Sequence, residues 1–172
     1  IARMPASAQG LDALSGMRNA LAKDYATVFP REDMTALTGA IGTRETAIGT
    51  EIADMMIADI EAASDGMPAF NNIATQVNSP LLRRLPPAQA SRVRAAADAK
   101  AETVGNALMP AFQKNLADLP VEDASIDNLD GPTLAYVRQS LAPAPAVRTR
   151  FEQAVAARRN EIVGALTKAE AG

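Results

Sequence analysis

The sequence predicts an all-α fold, a single-domain irregular bundle of six to eight helices interrupted by prolines. Three observations carry this. Alanine fills 37 of 172 positions while aromatic residues make up only 3%, a composition that favours closely packed helices over sheets. Apolar residues recur at steps of three and four along most of the chain, the period of an amphipathic helix. No segment alternates with period two over a useful length, so nothing reads as a half-buried strand. At this length, with 48% hydrophobic residues, the chain can build one sizeable core.

The first helix is expected over residues 6–28, with Leu11, Leu14, Met17, Leu21, Tyr25 and Val28 on its inward stripe. Phe29-Pro30 closes it, because a residue before proline is driven out of the helical region. A short second helix then starts near Arg31, where Glu32 and Asp33 favour its amino end, with Met34, Leu37 and Ile41 inward. Gly39, Gly42 and Gly49 follow, each costing about 1 kcal/mol against alanine in a helix. They predict a break at Gly42-Thr43, with Thr43 as the cap of a third helix that carries Ile48, Ile52, Met55, Met56 and Ile60 and ends at Asp65-Gly66.

Pro68 opens a shorter helix containing Phe70, Ile73 and Val77. Ser79-Pro80 then caps and restarts the chain, and Ser79 to Pro87 reads as one turn held between prolines. The longest periodic segment runs over about residues 87–119, with Val93, Ala97, Ala101, Val104, Leu108, Phe112 and Leu116 on one face. Pro110 inside it predicts a kink near Leu108 or two helices meeting. Residues 120–132 form the one clearly polar connector, with Asp130 as a cap for a helix carrying Leu134, Val137 and Leu141. Pro143 and Pro145 end that helix, and a last one places Val147, Phe151, Val155, Ile162 and Leu166 inward.

The inventory removes much chemistry. With no His, Cys or Trp, thiol and imidazole catalysis, Cys/His zinc sites, haem on a histidine and serine triads all lack their residues. Glu51, Asp54 and Asp65 offer hard oxygen ligands, but the histidine that accompanies helical carboxylates in a dinuclear site is absent, and the run reads as a solvated face. The segment from Asp123 to Gly131 fails as a calcium loop: with Gly131 at the sixth position, Ile126 takes the first and Val137 the twelfth. The glycines of residues 39–49 follow no strand and precede no Lys-Ser/Thr pair, so they make no phosphate cradle. No metal, cofactor or catalytic residue is expected, and the seven methionines read as core filling.

Charge is more informative than motif. Seventeen basic and 20 acidic residues give a net charge of -3, the wrong sign for general nucleic-acid affinity. Between Glu45 and Asp65 stand six carboxylates and no basic residue, whereas Arg138 to Arg159 holds five arginines and only Glu152. The two segments are expected to attract each other, within the chain or between copies. The candidate interaction surface is accordingly Glu51, Asp54 and Glu61 with Arg148, Arg150, Arg158 and Arg159. No run is long and apolar enough to span a bilayer. A chain opening on Ile1 is read as trimmed or mature, with room for an export signal upstream, and the absence of cysteine suits an exported bacterial protein. A periplasmic or secreted location is expected, with the cytoplasm as the alternative.

Residues 24–56 resemble the helix-turn-helix of the DUF2059 family of uncharacterised, often exported bacterial proteins. Tyr25, Phe29, Glu32, Asp33, Leu37 and Met56 follow the family's order. Ala40-Ile41 stands where that family has Phe-Tyr, Thr43-Arg44 where it has Ser-Pro, and Ala53 in place of its second proline. The resemblance implies an all-helical exported domain and brings no catalytic residue with it. Three functions are therefore expected in turn. The first is a non-enzymatic module that binds another protein or itself through a helix face. The second is a carboxylate-dependent hydrolase or lyase, with or without an assisting metal, which requires at least two of Glu51, Asp54, Asp59 and Glu61 to converge in one pocket. The third is a carrier of a small apolar ligand, which needs a lined cavity between helices.

Overall fold

The computed structural model describes residues 4–171. It is 82% helical, with no strand among the described residues, so the chain is all-α as its periodicity predicts. In order the elements are α1 (Ala8–Asp24), α2 (Arg31–Glu61), α3 (Met67–Val77), a 3-10 turn (Leu82–Arg84), α4 (Pro87–Ala117), α5 (Asp123–Asn128), a π-helical turn (Leu129–Thr133), α6 (Leu134–Ser140) and α7 (Pro145–Glu170). They fall into two compact units, which are described separately.

The described residues of the first unit are 4–61 and 76–96. Ser7 caps α1: its Oγ accepts a hydrogen bond from the Gly10 amide at 3.2 Å, a contact worth about 1 kcal/mol. Leu11 and Leu14 of α1 are buried, as are Ile41, Ile48, Ile52 and Ile60 of α2. The predicted break at Gly42-Thr43 does not occur, and Thr43 caps nothing. One helix runs unbroken through all three glycines. The cost of about 1 kcal/mol for a helical glycine is outweighed here by close approach. A Cβ on Gly49 would stand 2.7 Å from Pro86 Cδ, so glycine is what lets the turn before α4 lie against the helix. The Thr46 and Thr50 hydroxyls bond back to the carbonyls of Gly42 and Thr46 at 2.9 Å, and Arg18 of α1 pairs with Glu45. The segment between the prolines forms the expected single turn, with Leu82 and Leu85 buried and Ser79 Oγ accepting from the Leu81 amide at 3.2 Å.

The second unit has described residues 62–75 and 97–171. Gly66 takes a φ of 152°, a conformation open chiefly to glycine, and turns the chain into α3, whose Ala69, Phe70 and Ile73 are buried. α4 continues through Pro110 to Ala117, so the alternative of two helices meeting there is corrected to one. Packing explains why the missing backbone donor is tolerated: Phe112 lies beside Phe151 with ring centroids 4.7 Å apart, and Leu116 joins a core cluster with Leu129, Val155 and Ile162.

The polar connector predicted over 120–132 is also corrected, since most of it is helical. Ile126, Leu129 and Leu134 recur with helical spacing among the aspartates, and Leu129 is fully buried. The intervening Asp residues masked that stripe by composition alone. Pro132 has no N–H to offer the ladder, and the backbone widens there into the π-helical turn. Asp130 is no cap: its two carboxylate oxygens accept from Arg159 Nε at 2.8 and 2.7 Å. The inward stripe of α7 is as expected, with Val147, Phe151, Val155 and Ile162 buried.

Candidate interaction surface

The seven charged residues singled out by sequence are placed as follows. On α2, Glu51 lies 3.5 Å from Arg44 of the same helix, Asp54 lies 2.7 Å from Arg92, and Glu61 is exposed. On α7, Arg150 binds Glu102 at 2.7 Å and Asn106 Oδ1 at 2.8 Å. Arg158 lies 3.1 Å from Glu161 and also donates to the carbonyls of Ala117 and Leu119 at 3.2 and 2.6 Å, closing the carboxyl end of α4. Arg159 takes Asp130, and Arg148 is half-buried. The ion pairs given for Glu51 and Asp54 and for Arg150, Arg158 and Arg159 are made with neighbours inside the unit of each. Exposed pairs of this kind are worth about 0–1 kcal/mol each.

Glu51, Asp54, Asp59 and Glu61 are all exposed, and Asp59 accepts only a long bond of 3.4 Å from Gln76. Among the described residues no group of three or more carboxylates stands close enough to hold a metal ion.

The apolar residues give a clearer feature, at the end of the α1–α2 hairpin. Residues 22–33 are exposed without interruption. Within or beside that stretch Met17 is 41% accessible, Tyr25 45%, Val28 66% and Phe29 42%, whereas Leu14 one turn earlier is fully buried. The inward stripe predicted for α1 is thus correct for Leu11 and Leu14 and corrected for Met17, Leu21, Tyr25 and Val28. Met34 and Leu37 of α2 are likewise only half-buried. Among the described residues the two helices leave each other's apolar stripes exposed or half-buried there. Between them lies an apolar groove of about 230 Å³ lined by Met17, Ala20, Leu21, Tyr25, Leu37 and Ile41.

Local chemistry builds this tip. The Val28 and Phe29 amides both donate to the Tyr25 carbonyl, at 3.0 and 3.3 Å, which tightens the turn. That brings the Tyr25 and Phe29 rings within 5.8 Å, tilted to each other. The Met34 amide donates to the Pro30 carbonyl at 3.1 Å, starting α2. Around the apolar centre stand Lys23, Asp24, Arg31, Glu32 and Asp33, all exposed. None has an ion pair among the described residues, while Arg18, Arg44, Arg84 and Arg92 of the same unit each hold a carboxylate. Their spacing alone reads as a core stripe, because period does not say how far a core extends. The signal was the turn itself, where Tyr25, Val28 and Phe29 crowd between two clusters of charge.

The second unit holds a cleft of about 220 Å³ with a buried floor of Val137, Leu141 and Phe151 and a rim that includes Met67, Leu108 and Tyr136. It is almost wholly apolar.

No known protein family, no curated protein and no solved structure matches this chain.

Proposed function

We propose that the protein is a non-enzymatic helical module that docks onto another protein, or onto a second copy of itself, through the apolar face of the α1–α2 hairpin. One observation carries this reading: the amphipathic stripes of both helices run on past the end of the core they help to build. A contiguous exposed apolar patch rimmed by polar residues marks an interaction site more often than chance exposure does. Aromatic anchors such as Tyr25 and Phe29 are the side chains that dominate such interfaces. The proposal includes a periplasmic or secreted setting, supported by the absence of cysteine and by the resemblance of residues 24–56 to the DUF2059 family. The charged surface of Glu51, Asp54, Glu61, Arg148, Arg150, Arg158 and Arg159 is left as a secondary contact region, since five of the seven hold partners within their own unit.

A photo-crosslinking phenylalanine analogue at position 29, installed in the protein in its own cells, tests the reading. A discrete adduct is expected at position 29 and none at position 121, an equally exposed apolar residue of the other unit. Absence of an adduct at position 29, or equal labelling at both, contradicts it.

The cleft of the second unit favours one other reading, a carrier of a small apolar molecule. Its volume exceeds that of an engineered apolar cavity of about 150 Å³ known to take benzene. The carboxylate hydrolase has no comparable support, because its four candidate carboxylates belong to exposed residues and line none of the clefts described above.

A further inference from the structure

We infer that the Asp65-Gly66 link is a site of spontaneous main-chain modification, where the aspartate isomerises to isoaspartate through a cyclic imide, and that the fold shields the chain's other Asp-Gly pair from the same reaction. The sequence holds two such pairs, Asp65-Gly66 and Asp130-Gly131, and no Asn-Gly. Glycine in second place matters because ring closure brings its amide nitrogen onto the aspartate carboxyl carbon, and glycine has no Cβ to crowd that approach or restrict the turn of the backbone. By sequence the two pairs are equal. The structure separates them.

Asp65 and Gly66 lie between α2 and α3, outside both helices. Gly66 takes its φ of 152° there, and among the described residues its amide donates to no acceptor, so the attacking nitrogen is not tied into a ladder. The Asp65 side chain is 78% accessible, with Lys100 Nζ 2.9 Å from its Oδ1. Asp130 is placed the other way. It and Gly131 stand inside the π-helical turn, both of its carboxylate oxygens accept from Arg159 Nε at 2.8 and 2.7 Å, and Leu129 beside it is fully buried. Ring closure there must wait for the turn to open, which costs free energy.

The reaction balances without a co-reactant. The Gly66 nitrogen bonds to Asp65 Cγ, and one carboxylate oxygen leaves as water with the amide proton and a proton from solvent. Water then adds back to the ring. Opening at Cγ restores aspartate, whereas opening at the main-chain carbonyl carbon breaks the original peptide bond and leaves the chain running to Gly66 through Cβ and Cγ. The main chain is then longer by one carbon just before α3, and the carboxylate is drawn back from Lys100. The change falls beside Met67, the first residue of α3 and part of the rim of the apolar cleft.

Incubation of the full folded chain at neutral pH in water enriched in heavy oxygen, followed by proteolysis and fragment mass spectrometry, is the test, because each ring opening leaves a heavy oxygen on the aspartate that reacted. Asp65 is expected to take up label about tenfold or more faster than Asp130, with a fraction of its peptide recovered as isoaspartate. In denaturant the two positions should react at similar rates, Asp130 rising to meet Asp65. Asp65→Glu keeps the charge beside Lys100 but would have to close a larger ring, so it should take up no label at position 65. Its side chain stands at an exposed turn, and the variant should keep the helical content of the unaltered chain. Equal rates in the folded chain, or faster labelling of Asp130, overturn the inference, as does an Asp65 that reacts only in denaturant. Label persisting at position 65 in Asp65→Glu also overturns it, because the oxygen would then enter by a route other than the ring.

Discussion

Phe70→Ala is expected to lower the unfolding free energy by about 3–5 kcal/mol, the largest single effect of any substitution considered. Phe70 is fully buried, and α3 has only 11 residues, below the about 12–15 at which an isolated helix becomes even marginal. The helix therefore exists because Ala69, Phe70 and Ile73 are buried, and removing the ring takes away the largest part of that burial. Urea unfolding followed by circular dichroism measures the loss. Met55→Ala is the matched control: Met55 is 53% accessible, and its truncation should change stability by about 0.5 kcal/mol or less. A loss below about 1 kcal/mol for Phe70→Ala would mean that the site collapses around the cavity or that α3 is not anchored as described.

The second large effect is at Gly105. A Cβ there would stand 2.5 Å from Val147 Cγ1 and 3.1 Å from Cγ2, and Val147 is only 1% accessible, so its side chain has nowhere to swing. Gly105→Val gains about 0.5 kcal/mol or so of intrinsic helix propensity over glycine, yet overpacking of this kind costs about 1–3 kcal/mol and sometimes more. A net destabilisation of about 2 kcal/mol is expected. The same contact predicts non-additivity. Val147→Ala alone should destabilise by opening space, whereas Gly105→Ala combined with Val147→Ala should cost less than the sum of the two single changes, because the methyl added at one position occupies room vacated at the other. Strict additivity in this cycle would place the two residues out of contact.

The all-helical class and the stripe of α7 followed from spacing, since Val147, Phe151, Val155 and Ile162 repeat on one face and are buried. Local rules failed where tertiary packing set the outcome. Gly42 and Gly49 looked like a break because glycine is a poor helix former. Pro86 pressed against Gly49 is a contact 37 residues distant in sequence that no local window can see. Pro110 looked like a boundary for the same reason, and Leu116 with Phe112 holds the helix together beyond it. Asp123 to Gly131 looked like a loop because its aspartates hide Ile126 and Leu129.

The candidate surface was half legible. The apolar residues of the hairpin were found at their correct spacing, but whether a stripe faces a core or the solvent depends on how many helices pack around it, and periodicity is silent on that. The charge asymmetry between Glu45–Asp65 and Arg138–Arg159 was real as arithmetic. What it did not tell is the neighbour each group takes within its own unit: Arg92 for Asp54, Glu102 for Arg150, Asp130 for Arg159 and Glu152 for Arg138.

The face formed by Met17, Leu21, Tyr25, Val28, Phe29 and Leu37 is exposed or half-buried in the isolated chain, and on the proposed function it is covered when the protein works. The chain contains no cysteine, so a single Val28→Cys substitution introduces a unique thiol on that face, and its rate of reaction with a maleimide reports directly on cover. In dilute purified protein the thiol should react at the rate of a freely exposed one, and it should be strongly protected at high protein concentration or in the protein's native cells. A cysteine placed at Val121 should react equally fast in all three settings. Unprotected reaction at position 28 everywhere, or protection already present in the dilute chain, would contradict the account.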